Sequence, residues 1–462
     1  MISMNCWKNP IILFLYCIFL WGSNVLAFSN PPTVDKILAN GLRVLVFEDH
    51  SAPTVIQMTV VRAGSIDEVD GKSGVAHVLE HMMFKRTETM KEGEFSRIIG
   101  SLGGQENAFT SREITGYHQQ VHKDHLETII KLEADRMQNL VFKQEDFKKE
   151  IQVVLQERLL RTDDNPKGRA YETLFAQAFQ ASPIRRPIIG WRNDILNLEL
   201  SDAEEWYEKW YVPNNITVII AGDVESSTVV KLIEKYYGET SKASLPRRKP
   251  RTEPPQVGQR RIKLSAPAEN KFLLKLWKAP VISKDSGDMV YENDEVRRVV
   301  AMGVLGVLLG DEDTGILIRK LVRESQKAVS ISIGSSWVSR GPGYFVIDAT
   351  PSAGVSIEEL ESEIQHEIKN VLRMRLPEKY LNIVKRRAKA DQIYQKDSLM
   401  SQVREASLFI TNQRSLDDSK NWLKVLESIT FEDVVGVGKL IFDEQKSTVL
   451  LFYPQKLRED KL

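Results

Sequence analysis

Only two of the 462 residues are cysteines, Cys6 and Cys17, and both lie near the start of the chain. Everything after Cys17 therefore lacks a thiol nucleophile, a disulfide and a cysteine-ligated metal. Histidine is scarce as well, with seven in all, so regularly spaced histidines stand out. Charge of one sign is missing too: 63 basic residues balance 63 acidic ones. That balance removes any general pull toward nucleic acid or an anionic membrane surface. Beyond residue 27 no apolar run approaches the roughly 18 residues of a membrane-spanning helix. What is present is 42% hydrophobic residues in a long chain, enough for a large core and for two or more domains.

The opening stretch, MISMNCWKNPIILFLYCIFLWGSNVLAFSN, has a lysine near its start, an apolar run from Ile11 to Trp21, and Val25 and Ala27 spaced as at a cleavage site. This is the layout of a secretory signal over residues 1–27, leaving a mature chain that starts at Phe28 and carries no cysteine. A retained anchor is the rival reading, disfavoured by the shortness of the apolar run. No stable membrane insertion is expected after cleavage.

Two β-branched runs bounded by turn residues, Asn40 to His50 and Thr54 to Ser65, read as strands. Gly71 to Thr89, Lys123 to Met137 and Gln144 to Leu160 read as helical, and Ile216 to Val224 returns to strand. From Thr240 to Arg261 proline and basic residues replace apolar periodicity, which marks 241–261 as a linker between an N-terminal domain, 28–240, and a C-terminal domain, 262–462. The two domains end alike. Leu200 to Asp223 and Ile429 to Pro454 each show a capping Ser201 or Thr430, an acidic first turn, a helix and a final strand. A duplicated α/β domain follows as the expectation.

Within GVAHVLEHMMF, His77 and His81 are four apart, so on a helix they project from one face toward a single metal ion. Glu80 lies beside them. This H-x-x-E-H order is that of the inverted zinc peptidases, in which the carboxylate acts as general base toward a water on the metal. A catalytic zinc needs a third protein ligand and one open position. Glu150 and Glu157, two helical turns apart in EIQVVLQERLLR, share a face; Glu157 is the better ligand candidate, and Glu150 then orients the water or the ligands. Other candidates weigh less. His118, His122 and His125 fit a surface or strand-end role, His50 and His366 have no grouping of donors around them, and the rings of WYEKWY (Trp206 to Tyr211) suit helix packing.

Around this motif the chain reads GKSGVAHVLEHMMFKRT from Gly71 to Thr87, which resembles the pitrilysin family, the M16 peptidases that include the mitochondrial processing peptidase. The family's third ligand lies about 76 residues after the second histidine, as Glu157 lies after His81, and its outer glutamate seven residues earlier corresponds to Glu150. GGQENAFTSREITGY (Gly103 to Tyr117), SPIRRPIIG (Ser182 to Gly190) and WYVPNNITVIIAGD (Trp210 to Asp223) extend the likeness over most of residues 35–240. The resemblance implies an α+β fold of two duplicated α/β domains, each a mostly antiparallel sheet packed with helices. It also implies a zinc metalloendopeptidase acting on peptides or unstructured polypeptide segments, with Asn107, Ala108 and Phe109 beside a substrate that adds as a strand.

There are two departures, Arg86 for a common glycine and Gln156 for a common glutamate, and neither is a proposed ligand. A third is more serious. Relatives that act alone carry an arginine and a tyrosine in the segment Leu321 to Trp337; here Arg323 stands for the first, but Val329 and Ser330 occupy the neighbourhood of the second. The short exported form therefore implies a homodimer, or a heterodimer with a related M16 chain, in a bacterial periplasm. The alternative is a catalytically weak or silent M16-like subunit that acts in assembly with a partner.

Overall fold

The computed structural model describes residues 32–373, 378–396 and 398–455, so the expected leader and both cysteines lie outside the described residues. The first sheet contains β1 (Val34–Ile37), β2 (Arg43–Glu48), β3 (Thr54–Val61), β4 (Gln105–Thr110), β5 (Thr115–His122) and β6 (Ile216–Gly222), in the order β1-β2-β6-β3-β5-β4. Only the β2–β6 pair is parallel. The runs read as strands at Asn40 to His50 and Thr54 to Ser65 are β2 and β3.

β6 reads ITVIIAG and is buried at every residue. A run in which Thr217 alone is polar belongs in a strand covered on both faces. On one face Val218 and Ile220 join a core with the helices Val75–Met82, Leu126–Gln138, Gln144–Arg158, Leu200–Trp210 and Ser226–Tyr237. The opposite face is covered by the helix Leu399–Thr411, which packs across β6 and β3. That helix comes from the stretch assigned by sequence to the second domain. One compact unit runs to Pro255 and also takes in Ile393–Lys420; the other comprises Gln256–Gln392 and the chain from Asn421 onward. A long excursion of this kind leaves no compositional mark in the chain.

In the second unit, β7 (Arg260–Pro267), β8 (Phe272–Ala279), β9 (Ala328–Ser335), β10 (Gly343–Pro351) and β11 (Ser447–Gln455) pair in the order β7-β11-β8-β10-β9. β11 lies between a parallel and an antiparallel neighbour, as β6 does between β2 and β3. The duplication is thus visible in the pairing pattern, with β9 at the edge that β4 takes in the first sheet. The two helix starts differ in detail. Thr430 caps its helix through Asp433, whereas Ser201 lies inside the helix that begins at Leu200, and Glu199 holds the cap position. The region Gly71 to Thr89 is helical only over Val75–Met82, and Gln144–Arg158 runs on into a π-helical turn, Leu159–Asp163. No helix among the described residues is long and apolar enough to cross a membrane.

Glu405, on the helix that covers β6, is only 4% exposed. Burial lifts its carboxyl to about 8, against which a hydrogen bond with Ser419 acts. An unfolded chain holds such a group near 4.5, so between about 4.5 and 8 the folded state keeps the extra proton and stability falls as pH rises. Glu405→Gln is neutral throughout. It is expected to exceed the parent protein in urea stability at about pH 9 and to lose that advantage near pH 5; an advantage independent of pH would contradict this.

Candidate functional site

The helix that carries the histidines is eight residues long and starts after Gly74, whose φ of +91° is open to glycine at little cost. Its first N–H groups are capped from a distance: Glu68 accepts from the amides of Gly74 (3.0 Å) and Ala76 (3.1 Å). Burial raises the Glu68 carboxyl to about 8, the two amide bonds and Arg186 opposing it. A Cβ on Gly74 would lie 2.6 Å from the carbonyl oxygen of Ile189, so the two backbones meet with no room for a side chain. Ser73 closes the contact by donating to Asp194 (2.6 Å) and accepting from the Trp191 amide (2.9 Å). Arg186, fully buried, donates to the Glu68 carbonyl (2.6 Å) and to Asp70 (2.9 Å). The segment from Ser182 to Gly190 is therefore the cradle of the motif helix.

The same cradle sets the glutamate helix. Arg158 donates to the carbonyl of Gly190 (2.7 Å) and holds Glu172 through both carboxylate oxygens (2.8 and 2.9 Å). Arg86, which departs from the family pattern, makes a second tie by gripping the buried Asp146 through two bonds (2.7 and 3.0 Å). Two helices of distant sequence are thus locked side by side.

Between them, His77, His81 and Glu157 place one ligand atom each within 4.8 Å of one another, the one such group of three among the described residues. Oε2 of Glu157 lies 3.7 Å from Nε2 of His77 and 3.4 Å from Nε2 of His81. Its other oxygen is held by Arg161 at 2.5 Å. Two imidazole nitrogens and one carboxylate oxygen facing a common point are a donor set that fits zinc with a coordination position left over. Burial, aided by the nearby His81, lowers His77 to about 4, so near neutral pH the ring is uncharged. Its Nδ1 is buried without a hydrogen-bond partner; a proton there leaves the Nε2 lone pair toward Glu157. Burial works against charge on His81, but its bonds to Glu150 and Glu157 prevail and raise it to about 9. Glu157 is drawn down to about 2 against its burial by His81, His77 and Arg161.

Glu150 is placed behind this group. One of its oxygens accepts from Nδ1 of His81 (3.0 Å) and the other from Lys85 (2.6 Å). Both oxygens are thus engaged by side chains, one of them on the ring of His81. Glu80, next along the helix, accepts a bond from Oγ1 of Thr110 (2.5 Å) at the end of β4. Burial raises its carboxyl above the ordinary range, while the Thr110 bond opposes this.

β4 is the terminal strand of its sheet and carries the three residues expected at the substrate backbone. Asn107 is exposed, and its side-chain oxygen accepts from the amide of Ala108 (2.8 Å), which is itself buried. Phe109 lies across Gly116, its register partner. Strand alternation puts it on the face away from Thr110 and Glu80. His118, His122 and His125 do not join the cluster. His50 pairs with Asp223 (2.6 Å), His366 is exposed, and Trp206 and Trp210 are buried core rings.

Sequence reasoning missed Glu68, Lys85, Arg158 and Arg161. Lys85 follows His81 and Arg161 follows Glu157 by four residues, one helical turn, and that spacing was the available signal. Replacing Lys85 by Met releases the outer oxygen of Glu150, and zinc affinity is expected to fall by about 10-fold or more with the fold intact. Competition against a chromogenic chelator measures it, and unchanged affinity would remove Lys85 from the site.

Residues 43–191 match the family description "Insulinase (Peptidase family M16)", and residues 197–388 match "Peptidase M16 inactive domain". The chain is 29% identical over 442 residues to the zinc protease PqqE of Helicobacter pylori, covering 94% of this chain and 96% of that protein. It is 31% identical over 213 residues to a probable mitochondrial-processing peptidase subunit beta of Arabidopsis thaliana, 46% of this chain and 40% of that one. The crystal structure of a protease from Helicobacter pylori shares the fold with a TM-score of 0.85 at 27% identity, over 92% of this chain and all of that one. With both halves matched and the same two-sheet architecture, this chain belongs to the M16 peptidase family, whose relatives here are named zinc proteases.

Proposed function

We propose that the protein is a zinc-dependent endopeptidase that cleaves peptides or unstructured segments, with His77, His81 and Glu157 as ligands. The observation that carries this reading is the convergence of those three donors beside a buried Glu80. Zinc held there would polarise the scissile carbonyl and bring the pKa of water down to about 7. Glu80 accepts the proton of the attacking water as its oxygen bonds to the carbonyl carbon. It then delivers that proton to the amide nitrogen as the C–N bond breaks. Glu150 fixes the His81 ring through Nδ1, so that Nε2 keeps its direction. An extended peptide adds alongside β4, where main-chain hydrogen bonds provide affinity and leave side-chain specificity broad. Asn107 and Ala108 stand at that edge, and Phe109 supports it from the far face.

The reading includes a partner and a compartment. In the second unit Arg323 is engaged by the carbonyls of Glu312 and Asp313, and Leu321 to Trp337 contains no tyrosine. A second M16 chain, in a homodimer or a heterodimer, then supplies donors to the developing oxyanion, and the pair works in the periplasm after removal of the leader. If the partner does all the chemistry, this chain is instead a silent assembly subunit, against which its complete donor set weighs.

Glu80→Gln is expected to keep stoichiometric zinc while kcat/KM falls by about 10²- to 10⁴-fold, since the base is lost and no ligand is. His77→Ala, His81→Ala and Glu157→Ala should lose the metal. Near-normal turnover in Glu80→Gln, or full zinc in any ligand variant, would overturn the assignment. Full activity from a monodisperse monomer, unaffected by related exported chains, would overturn the partner.

A further inference from the structure

From the position of Thr110 we infer that the edge strand holds the base as well as the peptide: Thr110 is a positioning residue that fixes Oε2 of Glu80 and leaves Oε1 to carry the proton. The inference rests on the reading of Glu80 as general base. Thr110 Oγ1 donates to Oε2 at 2.5 Å, and a hydroxyl has one proton to donate. With that bond made, the carboxylate cannot rotate freely, and its other oxygen is the one without this donor.

Thr110 is well placed to impose such a restraint. It is the last residue of β4 and pairs with Thr115 across the hairpin. The turn beyond it is closed by the Ser111 amide on the Ile114 carbonyl (2.8 Å). It is also tied to the loop before the motif helix, because the amides of Ser65 and Ile66 donate to the carbonyls of Ser111 (3.1 Å) and Arg112 (2.8 Å). A Cβ on Gly64 would lie 2.5 Å from the Ser111 carbonyl oxygen, so loop and turn are in backbone contact. The hydroxyl therefore projects from a clamped frame rather than from a free strand end. β4 is also the terminal strand, so a peptide pairing with it would restrain the same backbone that carries Thr110. Occupancy of the edge and alignment of the base are coupled through one side chain.

The test uses the full zinc-loaded protein. Thr110→Val is isosteric and removes the donor; Thr110→Ala removes it without placing a methyl group against the carboxylate; Thr110→Ser restores it. The expected result is a fall in kcat of about 10- to 100-fold for Val and Ala, with KM and zinc content unchanged and with recovery in Ser. In a Glu80→Gln background, Thr110→Val should cause no further loss, and fluorescence anisotropy should show that uncleaved peptide binds both backgrounds equally. Wild-type kcat in Val or Ala overturns the inference, as does an equal fold-loss in the Glu80→Gln background or failure of Ser to recover. These outcomes are separate from failure of the base assignment itself, which would appear as an active Glu80→Gln protein.

Discussion

The backbone of Gly74 meets that of Ile189 and Gly190 with no space for a Cβ, and the convergence of His77, His81 and Glu157 depends on that contact. It sets where the motif helix begins, because Gly74 can take the positive φ that turns the chain into the helix. It also sets where the glutamate helix lies, since Arg158 fastens that helix to the carbonyl of Gly190. His81 and Glu157 are 76 residues apart in the chain, and a donor set of fixed size tolerates little drift between their helices. The supporting polar groups, Glu68, Ser73, Arg186 and Arg158, are largely buried and paired, so the cradle is expensive to deform.

Charge at the site is arranged in tiers. Glu157 faces both histidines with one oxygen while Arg161 occupies the other. Glu150 is shared between His81 and Lys85. Each carboxylate thus turns one oxygen to a histidine and has the second engaged by a cation, Arg161 one turn from Glu157 and Lys85 one turn from His81. Glu80 differs: its Oε2 accepts from the neutral hydroxyl of Thr110 rather than from a cation.

The strands of the two sheets pair in corresponding order, yet among the described residues only the first sheet is joined by three converging donors. In the second unit the buried Lys275 of β8 is instead paired with Glu361 and Glu444, a set that neutralises charge within the fold.

The chain alone made legible which side chains share a face, because four-residue spacing on one helix (His77 and His81) and seven-residue spacing on another (Glu150 and Glu157) dictate it whatever the surroundings. It also determined the strands β2, β3 and β6 and the repeat of strand after helix at the end of each half. What holds those side chains in place was left to the tertiary structure. Glu68 caps across a loop, Arg158 reaches a carbonyl 32 residues on, and Thr110 meets Glu80 through the edge of a sheet, all contacts between segments whose separation carries no periodic signal. It alone decided that Leu399–Thr411 covers the first sheet, since an amphipathic helix records that one face must be buried and not against which sheet.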